Sequence, residues 1–172
     1  FLVHKNGAKT FYDKVILAMH APQALEILEN PTAKEIEILS AFKYKKNSAV
    51  LHNDNNILYP NKKMYAAWNY TSSNTQNKVV TLSYWINTLQ NLKTKKDYFV
   101  SLNETQNINN VIEKISYEHP QFDSKTIEMQ KRKDEICGLN NTYFAGAYWR
   151  YGFHEDGLLS ATKVASKLGC EF

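Results

Sequence analysis

Two apolar strand signals stand at opposite ends of the chain, and each leads into a helix. Lys14 to Met19 contains the unbroken run Val-Ile-Leu-Ala-Met, the pattern of a strand buried on both faces as in a parallel sheet. Behind it, Pro22 to Leu28 has apolar residues at 24, 25, 27 and 28 and Pro near its first turn, which predicts a short helix. Thr142-Tyr-Phe-Ala-Gly146 predicts a second short strand. A glycine-punctuated aromatic loop follows to Gly157, then a helix over Leu158 to Leu168 with Gly169 past its end. These ends resemble each other more than they resemble the middle, so the sequence predicts one α/β domain interrupted by an inserted block.

The inserted block starts with helical signals and turns to alternation. Thr32 and Glu35 have capping-box spacing ahead of Ile36, Ile38, Leu39 and Phe42, which predicts a helix over Ala33 to Phe42. Ser48 to His52, Met64 to Tyr70, Val79 to Ile86 and Tyr98 to Leu102 then alternate between polar clusters, as four strands of an antiparallel sheet do, with Ile112 to Glu118 as a candidate fifth. Asp123 or Ser124 caps a further helix running to about Arg132. Ahead of all this, Phe1 to Tyr12 reads as a hairpin around Asn6-Gly7, a dipeptide suited to a type I′ turn. The expected organisation is residues 1–21 and 139–172 as segments of one domain and 22–138 as the block of helices plus antiparallel strands. The fold class is α/β, or α+β taken as a fragment.

Composition narrows the function classes. The chain has 172 residues, 43% of them hydrophobic, enough for one compact core. Twenty-one Lys plus Arg against 17 Asp plus Glu leave a net +4 without a charge run, a weak basis for a nucleic-acid or membrane surface. No apolar stretch is long enough for a bilayer span and no segment has a signal-peptide layout. Two cysteines, Cys137 and Cys170, are too few for a disulfide framework or a four-ligand zinc site, which fits a reduced, cytoplasmic compartment. The five histidines, at 4, 20, 52, 119 and 154, show no metal spacing, so no metal is expected. Ser48, Ser83 and Ser160 lie in no Gly-x-Ser-x-Gly context, which argues against a hydrolase nucleophile. The chain begins at Phe1 with no initiator Met and reads as a piece of a longer polypeptide.

The densest unusual stretch is Tyr143 to Ser160, where three glycines beyond the strand, a run of aromatics, Arg150, His154, Glu155 and Asp156 separate a strand from a helix. A strand, a glycine turn and a helix N-terminus present free amides and a positive dipole end to an anionic or polarised oxygen. The same stretch also fits an aromatic loop packed at an interface.

Phe144-Ala-Gly-Ala147 together with Gly152-Phe-His-Glu-Asp-Gly157-Leu-Leu-Ser-Ala161 resembles the C-terminal flavin-binding motif of the flavin-containing amine oxidase superfamily. Asp13 to Leu25, Ala67-Trp-Asn-Tyr70, Tyr84 to Gln90 and Tyr117 to Asp123 extend that resemblance along the chain, most closely to bacterial predicted NAD/FAD-binding proteins of amine-oxidase type. The resemblance implies that Gly146 and Ala147 lie by the ribityl-pyrophosphate of FAD. It implies that Asp156, Gly157 and Leu158, at the start of the closing helix, offer amides to the flavin ring, with Gly152, Phe153 and His154 close to the cofactor. Phe153 matches an aromatic that flanks the substrate space, and Trp68 and Tyr84 are expected on a cavity wall. Two departures accompany it. An acidic residue usual in the family is replaced by Ala147, and no Gly-x-Gly-x-x-Gly occurs anywhere, so the main pyrophosphate turn would belong to a missing N-terminal dinucleotide-binding portion of the same polypeptide.

The implied activity is a flavin-dependent oxidoreductase of Rossmann-like fold. It would transfer a hydride from an apolar amine or lipid-like small-molecule substrate to FAD, and the isolated piece is expected to be inactive. No catalytic side chain is identified. The alternative is a non-catalytic ligand- or protein-binding module whose aromatic loop is an interface.

Overall fold

The computed structural model describes residues 1–72, 80–104 and 107–170. The chain mixes helices with an antiparallel sheet and divides into two compact units. One is Phe1–Tyr44 with Pro120–Phe172; the other is Lys45–His119. The unit limits fall inside the 22–138 block read from the sequence, because the helices near 21–39 and 124–131 share a core with the terminal strands.

In the first unit, β1 (Leu2–Val3) and β2 (Lys9–Thr10) form the expected hairpin. Its turn is not type I′. Gly7 N donates to His4 O at 2.8 Å and His4 N to Ala8 O at 2.8 Å, closing a three-residue loop in which Gly7 alone has positive φ, +82°. A type I′ turn needs two such residues, and the three-residue loop with glycine in the left-handed position needs one.

β3 (Val15–Leu17) pairs in parallel with β9 (Thr142–Phe144), Val15 opposite Thr142 and Leu17 opposite Phe144, across the whole length of the chain between them. The two strands are covered differently. Alternate residues of β9 enter separate cores: Phe144 joins Leu17, Ile38, Phe42 and Trp149, while Tyr143 and Ala145 pack with Cys137 and Val164. β3 departs from the two-sided burial read in its apolar run. Leu17 is buried, but Ile16 is 48% exposed, since only the Leu17 side meets the core.

α1 (Ala21–Ile27) and α2 (Ala33–Leu39) pack on the Leu17 side. Thr32 caps α2 as its spacing predicts: its hydroxyl accepts from Glu35 N at 3.2 Å, and Glu35 Oε2 accepts from Thr32 N at 2.7 Å. α2 ends earlier than expected, at Leu39, and Ala41 and Phe42 turn into the core.

The second unit is built on a five-stranded sheet in the order β5-β6-β7-β4-β8. Its strands are β4 (Lys43–His52), β5 (Trp68–Ser72), β6 (Val80–Trp85), β7 (Phe99–Leu102) and β8 (Val111–Gln121). β5, β6, β7 and β4 pair antiparallel. β5 starts at Trp68 rather than Met64, because Lys62–Met64 forms a 3-10 turn with Asn61 accepting from Lys63 N. The residue Val79, expected at the start of β6, lies outside the described residues, and Ile86 opens the short helix α3 (Ile86–Leu89). α4 (Ser124–Lys131), in the first unit, is capped by Asp123, which accepts from Thr126 N at 2.8 Å.

Candidate functional site

The segment after β9 is held by its own side chains. Gly146 has extended backbone, and a Cβ there would collide with the Tyr148 ring. Its amide donates to Ser160 Oγ at 3.1 Å, and Gln130 Nε2 donates to Tyr148 O at 2.9 Å. Gly152 has φ +90°, a conformation that favours glycine, while a Cβ there would only touch the Phe122 ring at 3.4 Å. The Tyr148 hydroxyl and Trp149 indole N–H are buried without a hydrogen-bond partner among the described residues, and burial pushes the Tyr148 phenol well above its ordinary value.

α5 runs His154–Lys167, so the closing helix starts one turn before the Leu158 expected from the sequence. The cause is Asp156. Its Oδ2 accepts from Phe153 N at 3.0 Å and from Tyr151 N at 3.2 Å, which fixes the entry to the helix from its third position, and Arg150 Nε stands 3.7 Å from Oδ1. Asp156 is buried while Tyr151, Phe153, His154 and Leu158 are exposed. Gly157 is therefore the fourth residue of the helix and does not open it. Its amide donates to Phe153 O at 3.2 Å, which leaves His154, Glu155 and Asp156 as the first-turn amides outside the helical ladder. A Cβ on Gly157 would lie 3.9 Å from Ala147 N and Cβ, ordinary contact distance. The structure thus brings Gly146, Ala147, Asp156 and Gly157 together, with Gly152, Phe153, His154 and Leu158 on the connecting loop and first turn.

Two features gather at one end of the parallel pair. β3 and β9 point the same way, so their carboxyl ends, leading to His20 and to Gly146, lie on the same edge. In open α/β sheets, ligands bind in the crevice beyond those ends.

In the second unit the sheet register puts two apolar rows on one face. Leu51, Val100, Tyr84 and Trp68 stand side by side in one row, and Ala49, Leu102, Leu82 and Tyr70 in the next. Trp68 and Tyr84, the two expected wall residues, meet edge to face at 5.4 Å. Trp68 is 58% and Tyr70 72% exposed. Burial, with Tyr70 alongside, holds the Tyr84 phenol above its ordinary value, so it stays a neutral hydroxyl.

Sequence reasoning missed Ser160 as a structural hub. It lies four residues after Asp156 on the same helix face, and that spacing was the available signal. Among the described residues no cluster of His, Cys, Asp and Glu can hold a metal ion, and no helix is long and apolar enough to cross a membrane.

No protein-family model and no curated protein matches the chain. In fold it is similar to the crystal structure of a CLA-producing fatty acid isomerase from P. acnes, with a TM-score of 0.61 over 92% of this chain at 12% identity. The chain spans 42% of that enzyme's length, and the likeness is one of fold.

Proposed function

We propose that the chain is the C-terminal portion of a flavin-dependent oxidoreductase that takes a hydride from an apolar amine or lipid-like substrate. The observation that carries this reading is the meeting of the Gly146–Ala147 turn with the first turn of α5, at the carboxyl edge of the β3/β9 pair. The sequence resemblance assigns flavin to that place, and the fold likeness to an isomerase of fatty acids accords with an apolar substrate.

The residues present fit such a group. The His154, Glu155 and Asp156 amides at the start of α5 are outside the helical ladder, and Gly157 leaves open the space a longer side chain would take. A helix N-terminus favours negative charge by about 0.3–1 kcal/mol at an exposed site. Flavin, when bound, supplies the two-electron acceptor. The chain's own residues orient it. Ser160 fixes the Gly146 amide, Asp156 fixes the Tyr151–Phe153 backbone, and Gly152 permits the turn that presents Phe153. Trp68 and Tyr84 are assigned to substrate contact on the apolar rows, and Phe153 to the same role on its loop. Ala147 contributes backbone only.

The test is flavin content. The complete polypeptide carrying this chain is expected to be yellow after desalting, and a colourless protein would favour the binding-module reading. The isolated chain lacks a Gly-x-Gly-x-x-Gly turn and is expected to bind FAD more weakly than about 1 μM, the level equivalent to about −8 kcal/mol. In the complete protein, Gly157→Leu is expected to lose flavin while Gly157→Ala retains it, because only the longer side chain extends past Ala147. Full occupancy in Gly157→Leu would remove this helix start from the site.

A further inference from the structure

Beside Ser160, the first unit has a cavity of about 260 Å³ lined by the end of α4, the turn after it, Trp149, Arg150 and one face of α5. Four cations border it: Lys131, Lys133, Arg150 and Lys163. Its two carboxylates are already engaged. Asp134 Oδ1 holds Lys167 Nζ at 2.7 Å, and Asp156 holds two backbone amides and faces Arg150. Lys131, Lys133 and Lys163 thus have no carboxylate partner among the described residues.

Lys133 is not an ordinary surface lysine. It is partly buried, its Nζ donates to Ser160 Oγ at 2.8 Å, and it stands 5.5 Å from the centre of the Trp149 ring. Burial first, and the charges of Lys163 and Lys167 after it, lower the pKa of Lys133, while Cys137 and Asp134 act the other way. Ser160, only 4% exposed, accepts from both Lys133 and the Gly146 amide. A hydroxyl has two acceptor positions and one proton to give. With both acceptor positions spent, that proton finds no acceptor among the described residues. The cavity carries four cations against two carboxylates that are already engaged.

We propose that this cavity binds a phosphate group, either as free phosphate or pyrophosphate or carried on a nucleotide. Lys131 comes from the end of α4, Lys133 from the turn after it, Lys163 from α5 and Arg150 from the loop, so the cations border the cavity from four separate points of the fold. That arrangement suits a tetrahedral oxyanion better than a flat carboxylate. The volume admits one phosphate group with water or a second phosphate. The proposal is independent of the flavin reading: it uses the side chains of Lys133, Ser160 and Lys163, and its test needs no flavin.

The experiment is calorimetric titration of the chain at low salt with pyrophosphate and, separately, with ADP. Saturable one-to-one binding is expected. Lys133→Met is expected to weaken it about tenfold or more, as loss of a charge-assisted hydrogen bond does. Lys133 also anchors Ser160, so the deciding variant is Lys163→Gln. It changes an exposed position and is expected to weaken binding several-fold while the circular dichroism spectrum stays unchanged. Lys114→Gln, on an exposed position of β8, is the control and is expected to bind as the parent chain does. Tighter binding of ADP than of pyrophosphate identifies a nucleotide as the source; equal or weaker binding identifies the free anion. Absence of saturable binding by both at millimolar concentration overturns the proposal. So does an equal loss in Lys163→Gln and Lys114→Gln, which marks non-specific attraction.

Discussion

On one face of the five-stranded sheet, His52, Ser83 and Ser101 form a buried hydrogen-bonded line. His52 Nε2 meets Ser101 Oγ at 2.9 Å and Ser101 Oγ meets Ser83 Oγ at 2.7 Å. On the other face, Trp68 and Tyr70 stand in water. A sheet with one covered side normally puts its apolar residues under the cover and its polar residues outside. Here the polar side is the covered one, beneath the segment that carries Ile57 and Tyr65, and it is affordable only because each polar group has a partner. Asp54 ties that segment down. Its amide donates to His52 Nδ1 at 3.1 Å, and its carboxylate accepts from Asn56 N and Asn109 N. The difference separates two uses of one sheet: the polar face holds the unit together, and the apolar face leaves Trp68 and Tyr70 exposed.

The contrast breaks most readily at Phe99, fully buried beside His52 on the polar face. Phe99→Ala is expected to cost about 3–5 kcal/mol, read as a lower urea midpoint, and a loss under about 1 kcal/mol would mean that this face is not the structural one. Ser101→Ala comes next, at about 1–3 kcal/mol, because it leaves His52 and Ser83 without their shared partner. Ser101→Cys, which keeps a weak donor and acceptor, is expected to lose less.

Acid sharpens the same point. Burial lowers the pKa of His52 from 6.5, and its Nδ1 already accepts a backbone N–H, so the folded state takes up the proton less readily than the unfolded chain. The unfolded state then binds more protons as pH falls below about 6.5, and stability contributed by neutral His52 declines through that range. Thermal midpoints taken between pH 7.5 and 5.5 are expected to fall, with the slope reduced in His52→Gln. The smallest effect is expected on the open face. Trp68→Ala and Tyr70→Ala are expected to change stability by about 0.5 kcal/mol or less, and under the proposed function Trp68→Ala raises KM for the apolar substrate. A large stability loss there would show that both faces serve the core.

What the sequence disclosed follows how local each cause is. The Thr32–Glu35 cap and the Asp123 cap rest on partners three residues apart, and both were readable. The pairing of β3 with β9 was readable because both strands are apolar and each precedes a helix. The start of α5 was not. Phe153 is a poor cap by type, and glycine at 157 looked like the opening, whereas an acid inside the helix reaches back to two loop amides. The exposure of Ile16 was hidden for another reason: an apolar run states what a residue prefers, and the cover it receives depends on elements far away in sequence. Of the candidate site, the residue types and the turn were legible, and the engagement of the Gly157 amide within the helix was not.

The parallel pairing of Leu17 with Phe144 also sets a schedule for synthesis. Lys45–His119 is contiguous and can be completed as soon as it has left the ribosome, but the first unit waits for its second half. At about 5–20 residues per second, some 6–25 s separate the emergence of Leu17 from that of Thr142. Through that interval Leu17, Ile38 and Phe42 have no Phe144 or Trp149 to pack against. The nascent chain therefore carries this sticky segment for seconds, and the capping box of α2, which needs no distant partner, is one of the few devices able to give it order in the meantime.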